Sequence, residues 1–172
     1  MKILKLIYLT SLCLLLQLVA FGQGWERLYP NISQQTGSDI RKIIPAPGGG
    51  FLMLVADENG ATVNFDFSIV KVSETGSVLS VRHFDFGSDE SAQDFIALSD
   101  GGYAVFYQTY LPHSVLQSYL VKLDDQLNVV FQQEVLPGQP LSNNGARKIL
   151  ENQQHIWVYG TLGTANFQAG YN

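Results

Sequence analysis

The chain has 172 residues, with 10 Lys+Arg against 15 Asp+Glu, a formal net charge of −5 and a single cysteine. That length holds one core or a short repeat array rather than several large domains. An acidic balance with no basic cluster excludes a nucleic-acid or anionic-membrane binder, and one cysteine excludes a disulfide scaffold.

Residues 1–22 read MKILKLIYLTSLCLLLQLVAFG. Lys2 and Lys5 open the segment, an apolar run follows, and Ala20-Phe21-Gly22 supplies small residues where a leader is cut. This is the pattern of a secretory signal peptide. A membrane span needs roughly 20 apolar residues, and no basic stop follows this run. Cleavage after Gly22 is therefore expected, leaving residues 23–172 without a membrane span. Cys13 sits among leucines rather than at the cut, which argues against lipid attachment. Without the leader the chain has no cysteine, and 8 basic residues face 15 acidic ones, a net charge of −7. An exported chain without disulfides needs a substantial core. The expected location is the medium or cell envelope of a bacterium, where the sequon Asn31-Ile32-Ser33 has no meaning.

The first element after the leader is Trp25-Glu26-Arg27-Leu28-Tyr29, expected to be an outer strand like the fourth of a unit. Four strands are then expected at 40–45, 51–56, 66–72 and 78–84. Four more are expected at 94–98, 103–109, 118–123 and 129–135. A third set begins at 146–151 and 156–161 and is expected to stop there, with 161–172 ending where its third strand would start. Phe51-Leu52-Met53-Leu54-Val55 and Tyr103-Ala104-Val105-Phe106-Tyr107 are apolar on both faces, short and rich in aromatic and β-branched residues. They read as strands covered on both sides. No long helical periodicity occurs outside the leader.

The sets are copies of one another. Gly49-Gly50-Phe51 recurs as Gly101-Gly102-Tyr103, and Phe67–Val72 recurs as Ser118–Leu123. A third copy places Ile156 where Tyr103 stands. The glycine pair is expected to make the tight turn into the buried strand, where a positive φ is cheap only for glycine. Gly76 serves the next turn, and in the second copy Asn128, beside Leu127, is expected to take the left-handed position. Four-stranded units recurring about every 50 residues are the signature of β-propeller blades of kelch-like length. The approximate units are 25–84, 85–135 and 136–172.

Asp100-Gly101-Gly102-Tyr103 followed by Tyr119-Leu120-Val121-Lys122-Leu123-Asp124 resembles a repeat of exported bacterial surface proteins, propeller-like or kelch-like in kind. The resemblance implies an all-β fold of antiparallel four-stranded blades over roughly residues 25–161. It implies no shared catalytic residues. A propeller closes with about 4–8 blades, whereas about two and a half are counted here, so an incomplete ring is expected. The chain as a fragment, assembly of units between chains, and an open solenoid-like stack all answer to that count, with the fragment preferred.

Few residues carry candidate chemistry. The acidic stretch Asp85–Asp94 lacks calcium-loop spacing and is read as a solvated loop between strands. His83, His113 and His155 fall in no metalloprotease motif. No nucleophile elbow occurs, and no Ser-His-Asp triad is indicated. Lys71 and Lys122 recur at matching strand ends and are read as edge guards with their heads in water. The innermost strands offer only Arg41, Lys42 and Asp94, too little for an axial active site. Tyr107, Tyr110 and His113, with Leu111 and Pro112, form a possible ligand-contact loop, the alternative being that they pack beneath a long hairpin. No cofactor or metal is expected. The expected function is a non-enzymatic exported module for protein interaction, adhesion or glycan binding, its partner an unidentified protein or glycan. The alternative is a truncated piece of a propeller-fold hydrolase or lyase.

Overall fold

The structure, a computed structural model, describes residues 26–30, 32–33, 37–59, 64–111, 115–135, 137, 148–162 and 165–171. Residues 1–22, the expected leader, lie outside them, and among the described residues no helix is long and apolar enough to cross a membrane.

Among the described residues, eleven strands form three antiparallel sheets. The first holds β1 (Gly37–Pro45), β2 (Phe51–Asn59), β3 (Asn64–Val72) and β4 (Val78–Phe84) in that order. The second holds β5 (Asp89–Ala97), β6 (Tyr103–Leu111), β7 (Val115–Leu123) and β8 (Val129–Glu134). The third orders β9 (Lys148–Asn152), β10 (His155–Leu162) and β11 (Ala165–Tyr171) with β10 in the middle. The chain is all-β in repeated antiparallel sheets, and the described sheets close no ring. Every expected strand after residue 37 is present.

The sheets stack face to face because each central strand is apolar on both sides. Leu52, Leu54, Phe67 and Ile69 turn to the second sheet, where Phe95, Tyr103, Val105 and Tyr107 meet them. On the second sheet's other side Ala104, Phe106 and Leu120 meet Ile149, Ile156 and Val158 of the third. Fully burying one such large side chain contributes on the order of 2 kcal/mol. The first sheet's far face, Met53, Val55, Val70 and Val72, is covered by Ile32 and Tyr29. Register confirms the shared seat. Phe51 stands opposite Pro45 and Val72, and Tyr103 opposite Ala97 and Leu123. Ile156 stands opposite Glu151 and Tyr171. All three side chains turn toward the preceding layer.

The copies share their irregularities as well. Arg41 and Gln93 are the extra residues of bulges at matched points of β1 and β5. Leu79 and Val130 are the extra residues of matched bulges in β4 and β8, and each is 58% exposed. A bulge flips the side-chain parity that follows it and bends the strand, so these positions shape each sheet alike.

Several expectations need correction. Glu26–Tyr29 is not a strand; Arg27 Nη1 donates to Ser77 Oγ at 3.0 Å and the Tyr29 hydroxyl to the Gly76 carbonyl at 2.6 Å, so the segment crosses the β3–β4 turn. The third sheet does have a third strand, β11 (Ala165–Tyr171), paired along β10. Residues 89–94 are strand, not solvated loop. In the second copy Leu127, not Asn128, takes the positive φ, 63°. The Asp124 carbonyl accepts from Leu127 N, and Asp124 N donates to the Asn128 carbonyl, as in the Ser73–Ser77 turn where Gly76 holds that seat. Such a turn puts its left-handed residue fourth whatever the side chain. Lys71 and Lys122 lie on β3 and β7, interior strands, so they guard no edge. Lys122 Nζ instead pairs with Asp100 Oδ2 at 2.6 Å, and that bond with the Gly102 N–H holds the Asp100 carboxyl below the usual range.

The glycine pair divides two tasks. Gly101 has φ +91°, as expected, but Gly102 does not have a positive φ. A Cβ on Gly102 would lie 2.4 Å from the Leu123 carbonyl oxygen. Its smallness is required by the close approach of β7, not by its dihedral.

Candidate functional site

Polar side chains converge at the two ends of β5. At the C-terminal end the bulge at Gln93 aims Asp94 between sheets. Its side chain is 1% exposed, with Lys42 Nζ of the first sheet 2.5 Å from Oδ1 and Lys148 Nζ of the third at 3.8 Å. Oδ2 accepts from the Ile149 amide at 2.9 Å, and Oδ1 accepts from Phe95 N at 3.0 Å. Lys42, Asp94 and Lys148 stand opposite Leu54, Phe106 and Tyr159, the same seat in three copies. One buried acid thus binds three layers along their shared edge. Nearby, Ser99 donates from its amide and its hydroxyl to Glu151, each at 2.6 Å, joining the second and third sheets again.

At the N-terminal end the chemistry differs. Asp57, 2% exposed, faces Asp66 across β2–β3. The Ser68 hydroxyl lies between Asp57 Oδ2 and His83 Nδ1, the latter at 2.7 Å. Ser, His and Asp are brought together, a grouping the sequence did not indicate. Their order is wrong for nucleophilic catalysis, which sets histidine between serine and carboxylate. Ser68 is fully buried and His83 Nδ1 lies 3.9 Å from Asp57 Oδ2. The serine oxygen is bonded on both sides and closed to substrate.

Beside this chain, carboxylate oxygens of Asp66, Asp85 and Glu90 lie within 4.8 Å of one another. Glu90 is fully buried at the start of β5, Asp66 is half-buried on β3, and Asp85 is exposed after β4. Glu90 Oε1 accepts from the Ser88 amide at 2.9 Å, while Glu90 Oε2 and Asp66 Oδ1 are buried without a hydrogen-bond partner. Burial pushes the Glu90 carboxyl up to about 7, and burial with the Asp85 charge raises that of Asp66.

The expected ligand-contact residues are Tyr107, Tyr110 and His113. Tyr107 is a β6 residue, fully buried, stacked on Phe86 at 5.2 Å and on Tyr119 at 5.3 Å, with its hydroxyl accepting from Gln132 Nε2. Burial raises its phenol further. Its ring belongs to the core between the first and second sheets. Tyr110 is on β6 opposite Asp89 and Leu116. His113 lies outside the described residues. His155 is exposed, and its Nδ1 lies 2.8 Å from the Gln153 carbonyl.

The sequence analysis overlooked Asp66, which carried no motif, and read Glu90 as loop. The signal available was the replacement of neutral polar residues by acids near strand ends, Asp57 and Asp66 in place of Thr109 and Gln117. No family model, no curated protein and no solved structure matches the chain.

Proposed function

We propose that this chain is an exported, non-enzymatic binding module that engages protein sheets, with a second copy of itself as the partner of matching chemistry. The outward face of the third sheet carries the proposal. Ile149, Ile156 and Val158 turn toward the second sheet, so alternation puts Leu150, Trp157 and Tyr159 on the opposite face. Leu150 is 40% exposed there, and the Trp157 ring lies across Gly170, where a Cβ would come within 3.2 Å of it. The corresponding seats in the first two sheets, Leu52 with Leu54 and Ala104 with Phe106, are each covered by the next layer. Two such faces brought together are self-complementary, as a two-fold contact requires. The leader-like start of the chain and its likeness to exported repeats support the rest of the reading.

Sedimentation velocity on the purified chain tests it. Reversible association is expected at micromolar concentration, weakened about tenfold or more by Trp157→Ser, an anchor residue. A chain that stays monomeric throughout overturns the proposal. So does a glycan that quenches tryptophan fluorescence in the native chain but not in Trp157→Ser, which assigns the face to carbohydrate.

A further inference from the structure

We propose that Asp66, Asp85 and Glu90 form a binding site for a divalent cation, calcium by preference. The inference stands apart from the binding face on the third sheet and shares no residue with it.

Three observations converge. First, the donor set is three carboxylates brought from two sheets: the start of β3, the segment after β4 and the start of β5. Calcium bonds oxygen at about 2.4 Å, so oxygens up to about 4.8 Å apart can share one ion. That is the spacing found among these three groups. Second, Glu90 is fully buried yet its Oε2 has no hydrogen-bond partner, and Asp66 Oδ1 is buried and unpartnered too. A buried acceptor left unsatisfied is costly, and here both belong to the group of three. Third, no lysine, arginine or histidine among the described residues forms an ion pair with any of the three. The neighbouring charges add to the demand, since Asp57 faces Asp66 across the strands and Asp89 lies beside Glu90. Asp89 Oδ1 accepts from the Phe65 amide, and Asp57 is held by Ser68, so neither relieves the cluster.

A proton shared by Asp66 and Glu90 would satisfy one pair and leave Asp85 facing it. A cation satisfies all three at once. The exposure of Asp85 provides the way in, and the Gly87 turn, whose amide donates to Asp85 Oδ1 at 2.7 Å, sets that carboxylate in place. Calcium fits better than magnesium because it tolerates irregular geometry and fills remaining positions with water, whereas magnesium demands a near-ideal octahedron. No motif marks the site, since β3–β4 pairing brings Asp66 to Asp85 and the stacking of the second sheet on the first brings Glu90 to both.

Calorimetric titration of the chelator-treated chain with calcium chloride near neutral pH tests the site, with melting temperature as a second readout. One calcium per chain is expected, with an affinity in the range of about 10⁻⁴–10⁻³ M that open extracellular sites show, and a raised melting temperature. Glu90→Gln and Asp66→Asn should each weaken binding about tenfold or more, and magnesium should compete poorly. Asp85→Asn, a change at an exposed position, gives the same reading if the buried variants fail to fold. Absence of heat and of a melting shift up to about 10 mM calcium, well above that range, overturns the proposal. Undiminished binding in all the variants that fold also overturns it. A Glu90→Gln chain that melts higher than the native one, with neither responding to calcium, overturns it in favour of a shared proton.

Discussion

Asp94 and Glu90 lie four residues apart on one strand, both fully buried, and meet opposite electrostatic settings. Asp94 has two lysines and two backbone amides around it. Glu90 has the Ser88 and Phe86 amides and two further carboxylates, with no cation. The bulge between Ala92 and Asp94 separates them, turning Glu90 toward one side of the sheet and Asp94 toward the other. Burial alone therefore does not say whether a charge holds a fold together. A buried acid with paired cations is costly to disturb, whereas one among other acids weakens the folded state until something neutralises it.

Three substitutions sharpen that contrast. The largest effect is expected from Asp94→Ala. It strands Lys42, leaves the Ile149 amide without its acceptor and loosens all three sheets. Urea unfolding should show a loss of about 3 kcal/mol or more, the usual result of breaking a buried pair from one side. A loss no greater than that of an ordinary surface substitution would show that the three layers hold together without it.

Glu90→Gln should act in the other direction when calcium is absent. With the Glu90 carboxyl raised to about 7 from 4.5, the folded chain holds its proton more tightly than the unfolded chain. The stability this group confers is fully present below about pH 4.5 and is lost as pH rises through about 7. The variant should lack that decline and gain on the order of 1 kcal/mol above pH 7. Parallel stability–pH curves for native and variant chains would refute the assignment of the decline to Glu90.

The smallest effect belongs to Lys148→Ala. Its side chain is 68% exposed and 3.8 Å from Asp94, so water screens the pair. About 0.5 kcal/mol is expected, shrinking as salt is added. A cost equal to that of Asp94→Ala would mean that the third sheet depends on this lysine rather than on the Ile149 amide.

Much of this was written in local pattern. The apolar runs at 51–55 and 103–107 and their matched turns gave the strands, their order and the repeat, because two-sided apolar strands must be covered on both faces. Polar strand ends were missed. Asp57-Glu58 and Asp89-Glu90-Ser91 carry no apolar signal and are strand because backbone pairing continues past the core. The β11 strand was hidden for a similar reason: Gly170 lowers strand propensity but is needed where the Trp157 ring crosses it.

What the amino-acid order determined alone is the module: four short strands, joined by turns that demand one left-handed residue, repeated about every 50 positions. That information is local, held in side-chain alternation and turn chemistry. What only the tertiary structure decided is which charges meet. Lys42, Asp94 and Lys148 are dispersed along the chain, as are Asp66, Asp85 and Glu90. Their encounters depend on sheet stacking and on a single bulged residue that sets which way each acid points. Coulomb interactions fall with distance through space and not along the sequence, so one carboxylate of β5, Asp94, became a fastener and another, Glu90, an acid without a paired cation.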